Sequence, residues 1–268
     1  MTQQTVSGRR DPAAIRLGVP IALIAAAAIG WWWSARMSSD MGPSMPSMDG
    51  MPSMDPMPGM SMRLSVMSLS AFIVAWLAMM TAMMFPAILP VVKLYGRAAT
   101  AGRVAPLPFF VAGYIVVWTS LGLPAYVAWR ALMDPIAEAQ PWAGRLAGGV
   151  LVAAAVWQLT PLKSVCLRHC RSPMSFFLRF GGAIERPAGA LRMGAAHGAY
   201  CVGCCWALMA ILVSVGTMNL FWMIALSALI LLEKNAPQGE RIARVAAVAF
   251  AVLGAVLLID PSKISSVT

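Results

Sequence analysis

Acidic residues are scarce: the 268-residue chain has ten Asp and Glu, and charged residues of both signs make up 11% of it. So few charges cannot cover the water-facing surface of a 28.5 kDa globule, which excludes an ordinary cytosolic enzyme. Nothing resembles the Gly-rich loop ending in Gly-Lys-Ser/Thr that cradles nucleotide phosphates, so no ATP-driven pump is indicated.

Apolar residues fill the space that charge leaves. They make up 60% of the chain, with a mean hydropathy of +0.75. They run in segments at 16–35, 66–91, 107–129, 143–162, 194–216, 219–233 and 241–259, most of them near the ~20 residues that cross a hydrocarbon layer. In lipid only helices or closed barrels satisfy every backbone polar group, and the Ala, Leu and Met content points to helices. The expectation is an all-α, polytopic transmembrane helix bundle of about seven spans.

Orientation follows from the basic residues, which are retained on the cytoplasmic side. Arg9, Arg10, Arg16, Lys93, Arg97, Arg103, Lys163, Arg168, Arg171, Arg179, Arg186, Arg192, Lys234, Arg241 and Arg244 fall on one set of flanks; Arg36, Arg63, Arg130, Arg145 and Lys263 fall on the other. Fifteen against five places the N-terminus in the cytoplasm and the C-terminus in the periplasm of a bacterial plasma (inner) membrane. Topology thereby explains the net charge of +10, and nucleic acid is not an expected partner.

The chain divides into an N-terminal anchor helix at 1–36, a Met-rich periplasmic loop at 37–65 and a six-helix membrane domain at 66–268. Residues 1–36 also read as a secretory signal, with Arg9, Arg10 and Arg16 ahead of an Ala-rich stretch. Trp31, Trp32 and Trp33 suit the interfacial belt of a retained anchor instead.

Residues 37–62 contain nine Met and no aromatic residue, β-branched residue, Lys or Arg. Pro and Gly break regular structure there and nothing bulky is available to bury, so the segment is expected to be disordered. Met41, Met45, Met48, Met51, Met54, Met57 and Met60 recur every three or four residues. Thioether sulfur is a soft donor that survives an oxidising compartment, which points to Cu(I). The bland alternative is a linker in which Met is accidental.

Two further constellations carry donors. With His197 set at 0°, Cys201 falls at about 40°, Cys204 at about −20°, Cys205 at about 80° and Met193 at about −40° on a helical wheel. Imidazole and thiols on one stripe suit Cu(I), with Zn(II) as the alternative ion; the plainer reading is small-hydrophobe packing of cysteine. Gly194, Gly198 and Gly203 on the same segment let a neighbouring helix approach closely. After the fourth segment come Cys166, His169 and Cys170, with Arg168 and Arg171 expected to favour thiolate. Their spacing is not the Cys-x-x-Cys of zinc ribbons or thioredoxin-type centres.

Weaker features default to structure. Trp76, Met79, Met80 and Met83 share a face of the second segment and read as core. Pro86 and Pro90 are placed to kink its inner end, and Glu233 and Lys234 could pair or snorkel.

These residues carry a resemblance. WLAMMTAMMFP at 76–86, QLTPLKSVCLRHCRSP at 158–173, GAYCVGCCWALM at 198–209, GTMNLFWM at 216–223 and EK at 233–234 resemble a bacterial family of predicted metal-binding integral membrane proteins, a domain of unknown function. The resemblance covers the chain from about residue 66 and leaves the Met tract outside. It implies metal binding and no particular activity.

The expected function is copper handling: capture of Cu(I) on the outer Met tract, holding by His197, Cys201, Cys204 and Cys205, and exchange at Cys166, His169 and Cys170. Expected partners are the lipid bilayer, the metal ion, and a periplasmic or cytoplasmic metal chaperone or another membrane subunit. No catalytic residues are assigned. The rival readings are a thiol–disulfide relay through the cysteine pairs and a structural or assembly subunit of a larger membrane complex.

Overall fold

The computed structural model describes residues 12–40, 68–137, 140–215 and 219–263. Among the described residues regular structure is wholly helical: α1 (Pro12–Asp40), α2 (Leu69–Thr100), α3 (Leu107–Ala137), α4 (Pro141–Leu159), α5 (Pro161–Arg171), α6 (Pro173–Phe180), α7 (Pro187–Val215), α8 (Leu220–Asn235) and α9 (Gly239–Ile259), with short 3₁₀ turns at Gly181–Glu185 and Pro261–Lys263. As far as they are described, the seven expected apolar segments fall on α1, α2, α3, α4, α7, α8 and α9, with the fourth running past the end of α4 into α5. Five, α2, α3, α4, α7 and α9, are long and apolar enough to cross a membrane. The apolar stretch of α1, Ile21–Arg36, and the 16-residue α8 are shorter. Of the Met-rich tract, α1 takes in residues up to Asp40, while Met41, Met45, Met48, Met51, Met54, Met57 and Met60 lie outside the described residues.

Two proline-led helices, α5 and α6, follow α4. Pro161 cannot continue α4, because its ring removes a donor and crowds the preceding turn. Its fixed φ suits a first helical position instead. The Thr160 hydroxyl caps the new helix by accepting from the Lys163 amide at 3.3 Å, so α5 starts where α4 stops. Pro173 likewise stands at the first helical position of α6. Pro86 and Pro90, by contrast, lie inside α2, which runs on to Thr100 rather than ending near residue 91.

Close packing pairs α1 with α2, α3 with α7 and α4 with α9. Glycine sets the α3–α7 distance: a Cβ on Gly113 would collide with the Leu191 carbonyl, and one on Gly194 with the Phe110 carbonyl. Small residues of this kind let helix backbones touch in lipid, where no hydrophobic gain drives association. Gly148 and Gly254 do the same for α4 and α9. Because the obstacle at Gly194 is backbone, Gly194→Leu should destabilise the bundle by about 3 kcal/mol, at the upper end for overpacking, read as a lowered thermal midpoint in detergent.

Trp76, Met79, Met80 and Met83 are all buried, as their shared face predicts. The Trp76 indole donates to the Trp118 carbonyl at 3.0 Å, tying α2 to α3. Tyr95 donates to the Ala105 carbonyl, and the Ala105 amide to the Ile184 carbonyl. These bonds join the α2–α3 connection to the turn before α7. The helix holding the cysteine stripe is thus gripped by α3 along its length and by connecting segments at its start.

Candidate metal centre

The α7 helix begins at Pro187, earlier than its apolar run suggests, so His197 sits about 15 Å along it at 1.5 Å per residue. Met193, His197, Cys201, Cys204 and Cys205 are all buried, while Trp206 on another face is exposed. The stripe therefore points into the protein. His197 lies near two rings of α3, with centroids 6.0 Å from Phe110 and 6.0 Å from Tyr114.

The two cysteine groups, separate in the sequence, meet in space. Helix α5 packs against both α7 and α8, and it brings the Cys170 sulfur to 4.0 Å from that of Cys204. Cys166, one turn earlier on the same face of α5, faces Gly203: a Cβ there would stand 2.7 Å from the Cys166 sulfur. The missing side chain is what lets α5 approach. Trp157 donates its indole N–H to the Gly203 carbonyl at 3.2 Å, so α4 also grips this turn. The Cys204 and Cys205 thiols donate to the Cys201 carbonyl at 3.0 and 2.9 Å. All five cysteines are free.

His169 makes two contacts on α5 and α7. Its Nδ1 lies 2.8 Å from the Val165 carbonyl, a bond it makes by donating, and its ring stacks on Tyr200 with centroids 4.5 Å apart and planes 3° apart. Burial, not a neighbouring arginine, is the first influence on the Cys166 thiol. Arg171 turns away to donate to the Ala236 carbonyl at 2.6 Å, and the Cys166 thiol is pushed up, first by burial and then by the neighbouring Cys204.

Several site residues were not recognisable from sequence. Lys234 Nζ donates to the Cys201 sulfur at 2.9 Å and lies 4.0 Å from the Met84 sulfur; the Tyr114 hydroxyl is 3.2 Å from the same Cys201 sulfur. Glu233 points elsewhere, accepting from Lys163 at 2.6 Å and from the Gln158 amide at 2.8 Å. Lys163 and Glu233 are the one ion pair among the described residues, with side chains 2% and 3% exposed. The available signal was cost: Gln, Lys and Glu are expensive inside an apolar bundle and mark sites there. Their partners, however, are set by tertiary packing between helices remote in sequence.

Among the described residues no group of three or more His, Cys, Asp or Glu is drawn together tightly enough to enclose an ion. The arrangement offers a two-sulfur contact flanked by further soft donors. Two sulfurs sharing an ion at about 2.3 Å each would stand roughly 3.8 Å apart in tetrahedral geometry and 4.6 Å apart in a linear one. The observed 4.0 Å lies between those values. Thiolates and thioethers select soft ions such as Cu(I), so the donor set fits copper as cargo.

No curated protein and no solved structure matches the chain. The profile of the PpoB2 family, described as copper chaperone, matches residues 73–257, a stretch running from α2 into α9 that takes in all five cysteines and both histidines. The match covers more than half of the chain, and the protein belongs to this copper chaperone family.

Proposed function

We propose that the chain is a bacterial inner-membrane protein that takes up Cu(I), holds it between Cys170 and Cys204 with Cys201 and Cys205 beside them, and delivers it to an acceptor. The observation that carries this reading is the 4.0 Å approach of two thiol sulfurs from separate helices, α5 and α7. Seven spans, with the N-terminus in the cytoplasm, place the Met tract at 41–60 on the periplasmic side. There it gathers Cu(I) ahead of the bundle. Cys166 and His169, on the α5 end that carries the basic residues, form the exchange surface toward the cytoplasm. Zn(II) is disfavoured, because a structural zinc site closes four ligands tetrahedrally.

The test is metal analysis of the full chain purified anaerobically in detergent after loading with Cu(I). We expect retained copper near one equivalent in the bundle. Deleting residues 41–60 should slow loading and remove additional weakly held copper, while leaving the bundle's equivalent in place. A chain that retains no copper overturns the reading. The rivals give other signatures: a thiol–disulfide relay would show two fewer titratable thiols in aerobically isolated protein, and a scaffold subunit would copurify with partners whether or not metal is present.

A further inference from the structure

We propose that Lys234 is the residue that makes the sulfur cluster select a monovalent soft cation over a divalent one. This inference rests on the copper reading above and adds the source of its charge specificity.

Lys234 is 6% exposed, and among the described residues it has no carboxylate partner. The adjacent Glu233 is committed to Lys163 and Gln158. The Lys234 ammonium instead faces two sulfurs, Cys201 at 2.9 Å and Met84 at 4.0 Å, and Cys201 lies one turn before Cys204 and Cys205 on α7. A buried cation whose hydrogen-bond acceptors are two sulfurs is costly unless the sulfur supplies negative charge. The cluster is therefore built around one fixed positive charge.

Charge counting then distinguishes the ions. Two thiolates, one monovalent cation and one ammonium sum to zero. The same two thiolates with a divalent cation leave a net charge of +1 beside Lys234, and in a poorly screened interior that repulsion is large. Lys234 is a positioning and selectivity residue in this scheme; the sulfur atoms hold the ion.

The experiment compares binding of Ag(I), a redox-inert monovalent soft ion, with Zn(II) on the full detergent-purified chain under anaerobic conditions, by competition with chelators of known affinity. Wild type should prefer Ag(I). Lys234→Leu, which removes the charge without adding a soft donor, should narrow the Ag(I)-to-Zn(II) preference at least tenfold, and Lys234→Arg should retain it, because it keeps the charge. Lys234→Gln serves as a second neutral variant should the leucine variant not fold, and should narrow the ratio similarly. A neutral variant that binds Ag(I) with an unchanged ratio, or an arginine variant that behaves like leucine, overturns the inference alone. Wild type that binds no Ag(I) removes the copper reading and this inference with it.

Discussion

Replacing Cys170 and Cys204 together with serine should lower Cu(I) affinity by at least about a hundredfold. Changes to groups that merely orient metal ligands cost about 10–100-fold, so removing the two donors themselves should cost no less. The single substitutions test the geometry. Each removes one side of the 4.0 Å contact, and each should account for most of the loss, because one remaining sulfur cannot clamp an ion between α5 and α7. Cys166→Ser should leave equilibrium affinity nearly unchanged and slow release to an acceptor chelator, since that thiol lies one turn away from the contact. Anaerobic competition titration measures the first effect, and stopped-flow transfer to the chelator measures the second. Equal affinity in wild type and the double variant would locate copper elsewhere.

Lys163→Met should be the most damaging substitution outside the cysteines. It leaves Glu233 buried with only the Gln158 amide as partner, and breaking a buried ion pair from one side costs about 3–5 kcal/mol. That is a large part of the about 5–15 kcal/mol that holds a typical domain together. Adding Glu233→Gln should recover much of the loss. The double variant buries no net charge and still offers Gln158 an acceptor, and replacing both members of such a pair is often close to neutral. The measurement is thermal unfolding of the single and double variants in the same detergent. Additive destabilisation would mean that the pair contributes little of its own.

The apolar runs made the helical class and the location of the apolar helices legible, because a membrane-crossing segment must be long, apolar and internally bonded. Helical periodicity also put His197, Cys201, Cys204 and Cys205 on one face, and the structure buries that face. Three things were not legible. Pro161 and Pro173 look like breakers in a polar stretch, yet each starts a helix, since the same ring that ends one helix suits the first turn of the next. The junction of Cys170 with Cys204 spans 34 positions, and no local pattern encodes a contact between α5 and α7. The pairing of Lys234 with Cys201 was hidden for a similar reason: in sequence its obvious partner is the adjacent Glu233, but consecutive helical residues point about 100° apart.

Because the sulfur contact draws one atom from α5 and the other from α7, it cannot exist in a half-inserted chain. Ribosome-bound intermediates that end before residue 204 would lack the two-sulfur contact, and a freshly completed chain would acquire it only once α5 and α7 had docked. Cargo held there would act as a staple across two segments, so that loading and tertiary assembly become one event. Protease resistance around residues 160–205 should therefore rise with bound metal.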